Sequence, residues 1–96
     1  MAEATVEVRN PSGLHARPAA IFVKAAAGFS ADVRVANLTR NPEKAASAKS
    51  VLGVLGLGVQ QGHTIRITAE GGDAEAAVAG LVEQVRSGLG EPVGET

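Results

Sequence analysis

Apolar and polar residues alternate in three stretches of the chain, Thr5-Val6-Glu7-Val8-Arg9, Asp32-Val33-Arg34-Val35-Ala36-Asn37 and Thr64-Ile65-Arg66-Ile67-Thr68-Ala69. Each is rich in β-branched residues and predicts a half-buried strand. Other segments repeat at helical spacing. Ala16 to Ala27 reads as a helix, with Pro18 in its first turn, where a missing N–H is harmless, and Gly28 just past its end. Ile21 and Val23 to Ala25 keep one face apolar and leave Lys24 to solvent. Ala74, Ala77, Val78, Leu81, Val82 and Val85 form the stripe of a final helix, for which Asp73 stands as the cap. Ser50 stands as the cap of a short apolar helix over Val51 to Gly58, loosened by its glycines.

Turn signals separate these elements: Asn10-Pro11-Ser12-Gly13, Asn41-Pro42 and Gln60-Gln61-Gly62-His63. The segment from Glu43 to Ser47 is ambiguous by pattern and is assigned to a short third strand, although Ala and Lys are poor strand formers. The resulting order is β-α-β-β-α-β-α. Strands with one apolar face fit an α+β fold, an open-faced two-layer sandwich whose sheet is covered on one side only. No repeat or linker divides the chain, so residues 1–88 are read as one domain and 89–96 as a frayed tail.

Composition narrows the function classes. With 96 residues and 45% hydrophobic content the chain supports one core, built from Val, Leu, Ile and Ala because it has two Phe and no Trp or Tyr. Aromatic platforms for single-stranded nucleic acid are therefore missing, and a net charge of −1 gives no reason to expect a nucleic-acid partner. There is no cysteine, and so no disulfide framework and no thiolate metal site. Apolar runs such as Ala25-Ala26-Ala27 fall far short of a membrane span, and Met1 to Thr5 lacks the pattern of a secretory signal. The expectation is a soluble cytoplasmic domain without membrane insertion. Residues 1–69 carry a net +4 and residues 70–96 a net −5. A basic front half suits a phosphorylated site or acidic partners, and equally a solvated surface of no consequence.

The chemistry concentrates at His15, in Gly13-Leu14-His15-Ala16-Arg17-Pro18-Ala19-Ala20. It sits where a loop meets the first helix, at the end whose free N–H groups and dipole favour an anion and disfavour imidazolium. Only an unprotonated ring nitrogen can attack phosphorus. Arg17 brings a guanidinium able to pair with phosphate oxygens, and Gly13 is expected to let a donor approach closely. A lone histidine before a helix also reads as a cap or surface residue. No catalytic triad, metal-ligand spacing or nucleotide-binding glycine loop is present, so neither metal nor cofactor is expected. His63, in a turn, is expected to be a surface residue rather than a catalytic one.

This eight-residue stretch is similar to the signature of the HPr family, the histidine-containing phosphocarriers, at the position where that family carries it. A second block, Ser47-Ala48-Lys49-Ser50-Val51-Leu52-Gly53 through Leu57-Gly58-Val59-Gln60-Gln61-Gly62, resembles the family's second motif. The likeness continues through the next strand and final helix to about Gly88. Only the stretch from Asn37 to Lys44 looks a few residues longer than usual. The resemblance implies a sheet of four antiparallel strands with three helices on one face. It also implies a monomeric carrier, itself not an enzyme, that takes a phosphoryl group on the δ1 nitrogen of His15. Enzyme I, charged by phosphoenolpyruvate, is the implied donor and the enzyme IIA domain of a sugar permease the implied acceptor, with Arg17 on the phosphate. By the same resemblance Ala20, Ile21, Lys24, Val51, Leu52, Val54 and Leu55 form the partner-docking face, although about half of Val51, Leu52, Val54 and Leu55 are expected in the core. Ser50 matches a position that a serine kinase phosphorylates in some bacteria; its place as a helix cap accounts for it fully and is the preferred reading. Two alternatives stay open: a nitrogen-regulatory carrier, and a module that docks on regulators such as a transcription factor without relaying phosphate.

Overall fold

The computed structural model describes residues 1–91. Seven elements follow one another: β1 (Ala2–Glu7), α1 (Ala16–Ala27), β2 (Asp32–Asn37), β3 (Ala45–Ser47), α2 (Val51–Leu55), β4 (Thr64–Glu70) and α3 (Ala74–Arg86). The strands form one antiparallel sheet in the order β1-β4-β2-β3. Central β4 pairs with β1 from Ala2↔Ala69 to Glu7↔Thr64, and with β2 from Asp32↔Glu70 to Asn37↔Ile65. Because side chains alternate across a strand, this register puts Val6, Val33, Val35, Ile65, Ile67 and Ala69 on one buried face. The helices cover that face. Phe22 of α1 and Leu81 of α3 are fully buried in the shared core, and α1 packs against both α2 and α3.

The architecture and element order agree with expectation, including the short β3, which pairs with β2 from Arg34↔Ser47 to Ala36↔Ala45. Four details differ. Strand β1 begins at Ala2 and its regular ladder ends at Glu7, whereas the pattern placed it over 5–9. Ala2 and Ala4 are partly buried against the core, and alanine's weak strand preference hides that alternation. Val8 and the turn after it stay tied, with Val8 N–H donating to His63 O at 2.8 Å and Gly62 N–H to Val8 O at 2.7 Å. Helix α2 stops at Leu55, with Gly56 as its C-cap.

The third difference is Asp73. It occupies the N-cap position of α3 but its side chain caps nothing there. Its two carboxylate oxygens instead accept the backbone N–H groups of Ser30 (2.9 Å) and Ala31 (2.8 Å), fastening the loop between α1 and β2. The Ser30 N–H, joined by that of Ala31, holds this carboxyl below its ordinary pKa against the opposing effect of desolvation.

The fourth concerns the segment read as a frayed tail from residue 89. Pro92 to Thr96 lie outside the described residues, but Leu89 is 0% exposed. Helix α3 ends in a Schellman motif, with Gly88 N–H on Val85 O and Leu89 N–H on Gln84 O, both at 3.1 Å. That motif turns Leu89 inward, so packed structure continues past residue 88. Leu89→Ala is expected to cost about 2–4 kcal/mol in urea unfolding, the range for a buried leucine truncated in a closed core. A loss below about 1 kcal/mol would show that the core ends with α3.

Candidate functional site

The loop leading into α1 is fixed before His15 is reached. Gly13 N–H donates to Asn10 O at 3.1 Å, Asn10 Nδ2 to Gly13 O at 3.0 Å, and Leu14 N–H to Val59 O at 3.1 Å, while the Leu14 side chain is fully buried. Gly13 has φ +60 and is itself buried, its Cα hydrogen pressed on the backbone of Val59 and Gln60; a Cβ there would overlap Val59 O and lie 2.8 Å from Gln60 Cα. Gly13 therefore serves an internal backbone contact that holds the loop tight.

His15 follows as the N-cap residue of α1, half-exposed, with φ −128 and ψ 161. Its ring makes no capping hydrogen bond and the first turn holds no acidic residue, so neither competes for an incoming anion. Ala16 has φ +53, a left-handed conformation that costs an alanine roughly 1–2 kcal/mol. Strain of this kind persists where surrounding structure over-determines it, here between the anchored Leu14 and the start of the helix. His15 is thus half-exposed at the start of α1 with no capping bond, and Arg17, two residues on in the first turn, is exposed.

The docking residues separate by burial. Leu52 is 82% exposed and Val51 44%, Ala20 and Lys24 are exposed, and Ile21 and Leu55 are half-buried. Val54 is 0% exposed and belongs to the core, because the short helix turns that position down onto the sheet; it is no docking residue. Ser50 caps α2, its Oγ accepting Gly53 N–H at 3.0 Å. His63 is half-buried: its Nδ1 accepts Gln60 N–H at 3.2 Å and lies 3.0 Å from Asn37 Nδ2, so it stitches its turn to a buried asparagine. Since an amide nitrogen can only donate, that network assigns the ring proton to Nε2. No cluster of metal-binding side chains occurs among the described residues, and no helix of theirs is long and apolar enough to cross a membrane.

One residue of the site was not anticipated. Glu91 reaches back to the loop, its Oε1 accepting Asn10 Nδ2 (3.1 Å) and Ser12 N–H (3.0 Å) and its Oε2 accepting the Ser12 hydroxyl (2.8 Å). The Asn10 amide, with both Ser12 donors and the positive charge of Arg17, holds this carboxyl below its ordinary pKa.

Comparison with known proteins gives a consistent result. The family described as "PTS HPr component phosphorylation site" matches residues 2–87. Over 91 residues the chain is 45% identical to the phosphocarrier protein HPr of Streptomyces coelicolor, covering 95% of each. It is also 45% identical over 89 residues to a multiphosphoryl transfer protein of Haemophilus influenzae, spanning 93% of this chain but only 18% of that protein. Its structure matches the crystal structure of HPr-C-His from Thermoanaerobacter tengcongensis with a TM-score of 0.88 and 43% identity, over 97% of this chain and 100% of the other.

Proposed function

This chain belongs to the HPr family of histidine-containing phosphocarriers, and on that premise we propose that His15 takes a phosphoryl group from phospho-enzyme I and delivers it to the enzyme IIA domain of a sugar permease. The observation that carries the reading is the half-exposed His15 at an uncapped helix N-terminus, its ring free of capping duty and Arg17 two residues away. A lone pair of the neutral imidazole, on Nδ1 by family analogy, forms the new N–P bond as the P–N bond to the donor histidine breaks. The breaking pair returns to the donor's ring nitrogen, and the second nitrogen of each ring keeps its proton. First-turn N–H groups and the Arg17 guanidinium meet the negative charge on the phosphoryl oxygens. The second transfer runs the same step outward, so the carrier is a substrate of its partners and needs no metal or cofactor of its own. Exposed Leu52 and Val51, with Ala20, Ile21 and Lys24, supply an apolar contact face rimmed by positive charge. The match to a segment of multiphosphoryl transfer proteins supports a place in a relay.

Incubation with enzyme I, magnesium and phosphoenolpyruvate is expected to add the mass of one phosphoryl group in an acid-labile linkage. A competent donor that adds none ends the proposal. Arg17→Ala should keep the fold by circular dichroism yet slow transfer about a hundred- to a thousandfold, the usual effect of removing one charge-stabilising donor. Transfer at the wild-type rate would remove Arg17 from the reaction.

A further inference from the structure

A single peptide unit, Val59–Gln60, supports the loop before His15. Its carbonyl, Val59 O, accepts Leu14 N–H at 3.1 Å, and its N–H, on Gln60, donates to Nδ1 of His63 at 3.2 Å. Gly13 rests on the same unit, since a Cβ there would overlap Val59 O. A peptide unit is planar, so whatever fixes its N–H edge also fixes the direction of its carbonyl. His63 is well placed to fix that edge. Its backbone is tied on both sides, its N–H donating to Gln60 O at 2.9 Å and its carbonyl accepting Val8 N–H at 2.8 Å. Its ring is tied as well, because Nδ1 lies 3.0 Å from Nδ2 of Asn37, a residue 1% exposed at the end of β2. The Asn37 amide has no freedom to swing away. Its Oδ1 accepts Thr39 N–H at 3.1 Å and Arg40 N–H at 3.3 Å, and its Nδ2 also donates to Leu57 O at 3.2 Å. Two N–H donors on Oδ1 settle which end of the amide faces the ring.

From this chain of bonds we infer that His63 is a positioning residue for phosphoryl transfer: its Nδ1, steadied by Asn37, orients the Val59–Gln60 peptide unit from which Leu14 hangs, and so sets where His15 stands. The inference rests on the phosphocarrier reading. Leu14 is fully buried and immediately precedes His15, and Ala16, which follows, is held at φ +53. Backbone strain of that kind lasts only while its surroundings enforce it. Without the acceptor on His63, Gln60 N–H turns toward another partner, Val59 O turns with it, and the bond to Leu14 lengthens. The strain at Ala16 is then free to relax, and the imidazole moves with it. A shift of about 1 Å in a reacting group is enough to slow a reaction about a hundredfold. His63 reaches the reaction only through backbone and never touches the phosphoryl group.

Two variants and the wild type test this. His63→Asn sets an amide oxygen where Nδ1 stands and keeps an acceptor for both donors, while His63→Leu keeps the bulk and removes the acceptor. With phospho-enzyme I as donor, His63→Leu should lower the maximal rate of phosphoryl acceptance about five- to fiftyfold. Its KM should stay within about twofold, because the exposed docking residues of α1 and α2 are untouched. His63→Asn should remain within about threefold of wild type in both quantities. In amide hydrogen exchange of the free proteins, Leu14 N–H should open about tenfold faster or more in His63→Leu and near the wild-type rate in His63→Asn. The wild-type chain provides a measurement independent of any variant. In mildly alkaline solution its nitrogen-15 spectra should place the His63 ring proton on Nε2 and show a coupling across the hydrogen bond from Gln60 N–H to Nδ1. A proton on Nδ1 overturns the inference, as does a wild-type maximal rate or wild-type Leu14 protection in His63→Leu. Equal losses in the two variants overturn the role of the acceptor. If wild type takes no phosphoryl group, the carrier reading fails and the effect on transfer fails with it, while Leu14 exchange and the ring spectra still decide whether His63 holds the loop.

Discussion

The His15→Asn protein should gain no acid-labile phosphoryl group from enzyme I, and it should unfold at a higher temperature than wild type. The two effects share one cause. His15 holds the N-cap position of α1 with extended backbone angles, yet its ring forms no cap. Asparagine is among the preferred residues there, because its side-chain oxygen accepts a first-turn N–H, and this contributes about 0.5–1 kcal/mol relative to a residue that cannot cap. On the proposed function the imidazole gives up helix stability to keep a nitrogen available, a trade common where function and stability compete. Mass spectrometry after incubation with enzyme I and phosphoenolpyruvate reads the first effect, thermal unfolding the second. Phosphorylation of His15→Asn would move the acceptor elsewhere; a lower melting temperature would show that the ring contributes to the loop after all.

Gly13→Ala should lose at least about 3 kcal/mol, combining a left-handed alanine with a collision against backbone that cannot swing aside. The methyl group would fall on Val59 O and close to Gln60 Cα. Relief requires the strand-like stretch at Val59 to part from the loop, breaking the Leu14 N–H to Val59 O bond that immediately precedes His15. Transfer should therefore fall together with stability. Denaturant unfolding and the rate of phosphorylation are the two measurements, and a loss under about 1 kcal/mol with a wild-type rate would mean the loop is softer than its contacts indicate.

Most of the scaffold was legible because its signals are local and periodic. Helix α1 has a proline in its first turn, a glycine after its end and an apolar face; β2 and β4 alternate cleanly, and the eight-residue stretch around His15 carries the likeness to the family. What escaped depends on contacts between distant residues. Ala2 and Ala4 form strand only because β4 offers its whole length. Asp73 reads as a cap by position, but its carboxylate is claimed by Ser30 and Ala31, more than forty places upstream in a loop. Gly13 reads as a residue of a tight turn, but the backbone of Val59 and Gln60 that demands it lies far off in sequence. The segment after α3 had one readable clue, a glycine followed by leucine, the usual closure of a helix with an apolar residue folded back. Nothing nearby in sequence, however, reveals that Glu91 meets Asn10 and Ser12.

That last contact bears on how the protein comes into being. A loop near residue 12 is completed by a side chain at residue 91, and β1 closes onto a strand some sixty positions away. Long-range closures of this kind pay their entropy before they gain contacts, and during synthesis they wait for the distal partner to emerge. A nascent chain that has not yet released residue 91 carries the loop before His15 without its Glu91 contacts.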